Sequence, residues 1–142
     1  MLTPKFASPV DLLQEKLRDD PWKLLVCCMC LNKTNNKQVK RVIFEFFDRW
    51  PVPSSISDDD FDDMSRLLKP LGFYNRRTRQ IIKFSKKYVG SNWNDPLELP
   101  GVGKYASDSY KMFVEGTLDV EPTDKKLKEY IDWTKTLATD HA

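Results

Sequence analysis

Leu99-Pro100-Gly101-Val102-Gly103-Lys104-Tyr105 is a tight glycine-bearing loop that runs straight into a helical pattern, and Asp124 follows 21 residues after Gly103, in Glu121-Pro122-Thr123-Asp124-Lys125-Lys126. Glycines at i and i+2 permit positive φ and leave the backbone uncovered, so N–H groups at the mouth of a new helix can face an anion. A fixed carboxylate such as Asp124 can stabilise developing positive charge or take a proton from an attacking water. Each feature also has a plainer reading. Gly-x-Gly is commonly a turn, and Asp124 or Thr123 just before a helix is commonly an N-cap.

The residues that are missing narrow the chemistry further. The one histidine, His141, is penultimate, which argues against Ser-His-Asp or Cys-His catalysis and His-rich zinc sites. Cys27, Cys28 and Cys30 crowd into the apolar run Leu24 to Leu31. They cannot staple distant parts of a fold, make a poor tetrahedral metal site, and read as small core residues of an intracellular protein. That run is too short to span a bilayer, and Met1-Leu2-Thr3-Pro4-Lys5 lacks the apolar stretch of a secretory signal. A formal charge of +2 from 23 basic and 21 acidic residues excludes a uniformly basic binder, so any nucleic-acid surface must arise from segregated charge.

The elements that must position these residues read as helices, and the chain is long enough for one compact domain. Ser8-Pro9-Val10-Asp11 predicts a capped helix start with Leu12, Leu13 and Leu17 on its apolar face. Asp20-Pro21 predicts a second start, opening an almost wholly apolar helix from Trp22 to Leu31. Val39, Val42, Ile43, Phe46, Phe47 and Trp50 give a third helix a regular apolar face, stopped by Pro51 and Pro53. The acidic run around Asp58-Asp59-Asp60 reads as helix-terminal charge before Phe61, Met64, Leu67 and Leu68. After Pro70-Leu71-Gly72 a further helix is expected from Arg76 to Val89. No segment alternates with period two between hairpin turns, so an all-α fold of about seven or more short helices is expected. With apolar helices on both sides and Val102 placed to plug the core, the Leu99–Tyr105 loop takes the form of a helix–hairpin–helix, a phosphate clamp that positions a duplex without reading bases.

A Leu-Pro-Gly-Val-Gly hairpin followed about twenty residues later by Pro-x-Asp resembles the helix–hairpin–helix superfamily of DNA glycosylases. Within it, most of the chain is similar to the glycosylase domain of the methyl-CpG-binding domain protein 4 family. The similarity is carried by Ser8-Pro9, Leu13-Gln14-Glu15, Asp20-Pro21-Trp22-Lys23-Leu24-Leu25, Leu31-Asn32-Lys33-Thr34, Leu67-Leu68-Lys69-Pro70-Leu71-Gly72, Gly103-Lys104-Tyr105 and Asp108-Ser109-Tyr110, and then by Asp124, Lys126-Leu127 and Asp132-Trp133. The resemblance implies a single glycosylase domain over 1–142, with two helical lobes around a cleft and the N- and C-terminal helices forming the second lobe. It implies a nuclear, monomeric enzyme of base excision repair that flips thymine or uracil mispaired with guanine out of double-stranded DNA and hydrolyses its glycosidic bond. Asp124 would be the catalytic carboxylate, and Gln14, Tyr105 and Lys126 would form the base pocket. Lys33, Phe73 and the hairpin residues Leu99, Pro100, Gly101, Val102, Gly103 and Lys104 would meet the DNA.

Several positions depart from the family pattern. Tyr105 stands where bifunctional relatives carry a Schiff-base lysine, so a monofunctional enzyme is expected. No cysteine follows Cys30, so no iron–sulfur cluster and no other cofactor or metal is expected. Lys33 replaces an arginine, keeping charge but losing the planar fork, and Phe73 replaces a wedge leucine, with an ordinary core aromatic as its alternative. Arg76, Arg77, Arg79, Lys83, Lys86 and Lys87 form either a phosphate-facing surface or a solvated helix face. No methyl-CpG-binding segment is present in the sequence, as expected of an excised domain or of a member without that module. Two other functions remain open on these residues: a relative that removes another damaged base, and a non-catalytic DNA-binding module.

Overall fold

The computed structural model describes residues 2–140, so His141 lies outside the described residues. Among the described residues there are seven α-helices, four short 3-10 turns and no strand, only an isolated antiparallel bridge between Leu2 and Thr117. The helices are α1 (Leu13–Lys16), α2 (Pro21–Leu31), α3 (Asn36–Arg49), α4 (Phe61–Leu68), α5 (Tyr74–Gly90), α6 (Lys104–Phe113) and α7 (Lys125–Asp140). The all-α expectation holds. No described helix is long and apolar enough to cross a membrane.

Local chemistry accounts for most starts and stops. Asp20 caps α2 by accepting the Lys23 N–H at 3.1 Å, with Pro21 at the first position where a missing N–H costs nothing. Asn35 caps α3 in the same way through the Gln38 N–H at 2.9 Å. The acidic run does helix-terminal work: Asp60 accepts the Ser57 N–H at 2.8 Å, and Asp58 pairs with Lys86 across to α5.

The first expected helix is different. Ser8 spends its N–H, at 2.9 Å, and its hydroxyl on the Glu15 carboxylate, and its Oγ accepts the Val10 N–H at 3.2 Å only within a local turn, so it caps no helix. The helix shrinks to Leu13–Lys16, entered from Leu12 without a side-chain cap.

Apolar almost all round, α2 is the central element and packs against α1, α3, α5 and α6. The Trp22 indole N–H bonds the Ser85 hydroxyl at 3.0 Å and ties α2 to α5. Phe46 and Phe47 from α3 and Trp50, which closes it, pack ring to ring, and Trp22 meets Phe47. At the other end, Tyr130 of α7 packs on Phe113 of α6 at 5.0 Å between centroids, and Phe6 packs on Trp133. The N-terminal segment is thereby joined to α6 and α7, with the Thr3 N–H donating to the Gly116 carbonyl at 2.8 Å.

Candidate active site

Asp124 ends the segment that returns from α6. Its Oδ2 accepts the Leu127 N–H at 2.9 Å and its carbonyl accepts the Lys128 N–H at 3.1 Å, so Asp124, not Thr123, caps α7. The capping role and an exposed role coexist, because the half-buried side chain also lines a cavity of about 510 Å³ together with Lys33, Asn36, Tyr105, Thr123 and Lys126. A cap bond fixes the carboxylate at one oxygen and so pre-orients the other.

Tyr105 sits in the first turn of α6, with its phenol directed inward. Gln14, 0% exposed, donates from Nε2 to the Tyr105 hydroxyl at 2.6 Å and to Ser109 at 3.2 Å. Burial pushes the Tyr105 phenol well above its ordinary range, and the neighbouring Cys28 thiol adds to this. The Gln14 Oε1 is buried and has no hydrogen-bond partner among the described residues. Gln14 therefore lies beneath Tyr105 and outside the residues that line the Asp124 cavity. Lys126 lines that cavity and donates to the Asp11 carbonyl at 3.2 Å.

The hairpin follows a 3-10 turn, Pro96–Glu98, so a single tight turn rather than the long α5 leads directly into it. Leu99 is 2% exposed, and its carbonyl receives the Val102 N–H at 3.3 Å. Leu99 is the residue that plugs the core, with half-buried Val102 packed beside it. The two glycines do different work. Gly101 has φ +82°, and a Cβ there would come within 2.7 Å of the Met29 Cε. Gly103 has φ −108°, an ordinary extended value, and begins α6 with nothing within 4 Å of where a Cβ would stand. Gly101 thus shapes the turn, while Gly103 leaves open space at a helix N-terminus. The Lys104 ammonium is held by Asp108 and by the Glu121 carbonyl, each at 2.9 Å. A second cavity of about 260 Å³ lies between this hairpin and α2 and shares Asn32 and Tyr105 with the first.

Phe73 is 62% exposed, which removes the core-aromatic alternative. The Lys33 Nζ stands 5.8 Å from its ring centroid. Lys33 also lines the Asp124 cavity, so the Phe73–Lys33 contact borders the carboxylate site. Of the basic stretch, Arg76, Arg79, Lys83, Lys86 and Lys87 are exposed, but Arg77 turns inward and is no part of a phosphate face. Sequence reasoning missed Asn32, which lines both cavities, and the bracing role of Lys104, although the i, i+4 spacing of Lys104 and Asp108 was visible.

A profile of the HhH-GPD superfamily of base excision DNA repair proteins matches residues 26–138. The chain is 39% identical over 129 residues to a methyl-CpG-binding domain protein 4-like protein of Arabidopsis thaliana, covering 90% of this chain and 29% of the relative. It is 34% identical over 94 residues to a thymine-DNA glycosylase of Aeropyrum pernix, with 61% of this chain and 42% of the relative aligned. It is 35% identical over 95 residues to a thymine/uracil-DNA glycosylase of Pyrobaculum aerophilum, at 62% and 41% coverage. The chain spans less than half the length of each of these relatives.

Proposed function

The chain belongs to the HhH-GPD superfamily of base excision DNA repair proteins, and on that premise we propose that it is a monofunctional DNA glycosylase that releases thymine or uracil mispaired with guanine. Support comes from two of the relatives, a thymine-DNA and a thymine/uracil-DNA glycosylase. The observation that carries the reading within this chain is Asp124, a carboxylate held by a helix cap at the edge of a cavity that Tyr105 and Lys33 also line.

In this reading Leu99 anchors the hairpin in the core, Pro100 to Lys104 grip a phosphate through the open backbone at Gly103, and Phe73 with Lys33 fills the space that the extruded nucleotide leaves. Gln14, buried beneath Tyr105 and outside the cavity lining, serves here by holding the Tyr105 hydroxyl at the pocket wall rather than by meeting the base. The C1′–N1 bond breaks with its electron pair on N1 of the departing pyrimidine. A water oxygen bonds to C1′, and its proton passes to Asp124. As positive charge builds on the sugar, the fixed carboxylate stabilises it. Neither Tyr105 nor the Lys104 ammonium, braced by Asp108 and Glu121, offers a free amine to C1′. We extend the proposal to a single two-lobed domain acting as a monomer on deaminated CpG sites in the nucleus.

A single-turnover assay on G·T and G·U duplexes, beside A·T and A·U controls, tests this. Base release from the mispaired duplexes, without a covalent adduct trapped by borohydride, is expected. Intact substrates, or efficient trapping, would count against it.

A further inference from the structure

Arg77 stands in the first turn of α5 and is 6% exposed. Its side chain bonds main-chain carbonyls from two separate segments. Nε donates to Gly72 at 2.9 Å, Nη1 to Met29 at 3.1 Å and Cys30 at 3.3 Å, and Nη2 to Asn32 at 2.8 Å. Met29 and Cys30 lie in the last turn of α2 and Asn32 just past it, where a helix leaves carbonyls without partners.

Two of those carbonyls lead directly into residues of unusual backbone. Gly72 immediately precedes Phe73, and Asn32 immediately precedes Lys33. Phe73 and Lys33 are the non-glycine residues with positive φ among the described residues, at 46° and 61°. One guanidinium therefore holds the peptide on the N-terminal side of both left-handed residues, a conformation that costs roughly 1–2 kcal/mol for a residue with a Cβ. The Arg77 N–H also donates to the Phe73 carbonyl at 2.8 Å. As a result the Phe73 ring is flanked by two cations, with the Lys33 Nζ at 5.8 Å and the Arg77 Cζ at 6.0 Å.

We propose that Arg77 is a positioning residue that locks Phe73 and Lys33 into one preformed probe, so that wedge and cation enter the duplex as a unit. The proposal rests on the base-extruding activity inferred above. A lysine cannot take over, because a single ammonium lacks the planar fork that spans both segments. The loss falls on opening the base pair, since Arg77 lines neither the Asp124 cavity nor the hairpin cavity and reaches their edges only through the Met29 and Asn32 carbonyls.

The test is single-turnover uracil release by the wild type, R77K, F73A and R77K/F73A, on a G·U duplex and on a duplex in which the uracil faces an abasic site. On G·U, R77K is expected to be about tenfold slower, in line with the cost of a small misplacement. On the second substrate, where no partner must be displaced, the change is expected to be within about threefold. The double variant is expected to fall well short of the product of the two single losses, because both changes act on the same probe and only the hold on Lys33 is left to lose in F73A. Equal losses on both substrates, as a merely structural role would produce, or losses that multiply in the double variant, overturn the proposal. A wild type that releases uracil from neither substrate overturns the functional reading instead, and this proposal with it. Should R77K not fold, F73G and K33G carry the test, since glycine accepts a left-handed φ freely. Each is expected to raise the urea midpoint, and no gain at either position overturns the idea of a held, strained pair.

Discussion

Lys104 and Asp108 form an ion pair one turn apart on α6, Nζ to Oδ2 at 2.9 Å. The same ammonium reaches the Glu121 carbonyl, three residues before Asp124, also at 2.9 Å. The pair thus ties the start of α6, just past the hairpin, to the segment that delivers the proposed catalytic carboxylate. K104M would leave the buried Asp108 carboxylate without its cation, and a loss of about 1–3 kcal/mol in urea unfolding is expected. The rate of base release should fall further than duplex affinity does. A fall in affinity alone would mean that Lys104 serves only as a backbone contact.

At Asp124 the cap and the chemistry can be separated. Asparagine caps helices as well as aspartate does, so D124N should keep the bond to the Leu127 N–H and melt like the wild type. Its single-turnover rate should drop by roughly 100- to 1,000-fold, the scale of one preorganised electrostatic contact. D124A should lose the rate and, in addition, about 1 kcal/mol of stability. Full base release by D124N would assign the catalytic role to another residue.

The two hairpin glycines should respond differently to a methyl group. G101A places a side chain at φ +82° against the Met29 Cε and is expected to destabilise the fold by about 1 kcal/mol or more. G103A meets no protein atom within 4 Å at an ordinary φ, so its melting should be unchanged. Its methyl group would occupy the open face of the helix start, and DNA affinity measured by anisotropy should weaken. Unaltered affinity in G103A would remove the hairpin from the interface.

The buried thiols predict an alkaline limit to stability. Burial raises Cys28 and Cys30 from an ordinary 9.0 to about 12, and burial raises Cys27 in the same direction. Below about pH 9 these thiols stay protonated in both folded and unfolded chains, and their contribution to stability does not change with pH. Above it the unfolded chain releases protons that the folded chain retains, so stability falls as pH rises from 9 toward 12. Urea midpoints taken from pH 7 to 10.5 should decline only over the upper part of that range. C28A should flatten the decline by about one proton's worth, roughly 1.4 kcal/mol per pH unit at most. A decline as steep as the wild type's would place the titration elsewhere.

Much of the fold was legible because its causes are local. The Asp20 and Asn35 caps act within three residues, and the apolar face of α3 repeats along one helix, so sequence spacing alone locates both. The hairpin, the start of α6 and the position of Asp124 at a helix entrance are local in the same sense. Failure came where a nearby side chain competed: Ser8 has the type and spacing of a cap, yet Glu15 draws its N–H and hydroxyl, its Oγ closes only a local turn with Val10, and α1 begins only at Leu13.

By itself, then, the sequence determined an all-helical chain with a glycine hairpin and a carboxylate opening the last helix. Tertiary structure alone decided which of six basic residues near α5 faces inward, because the carbonyls that capture Arg77 lie 45 to 48 positions earlier in the chain. It alone decided that Phe73 and Lys33 are left-handed and in contact, a conformation with no local signal in residues that carry a Cβ. Gln14 came to lie under Tyr105 with one acceptor unpaired in the same way, across 91 residues of sequence. Spacing rules reach about one helical turn, whereas the contacts that build this cleft are made by packing helices from opposite ends of the chain.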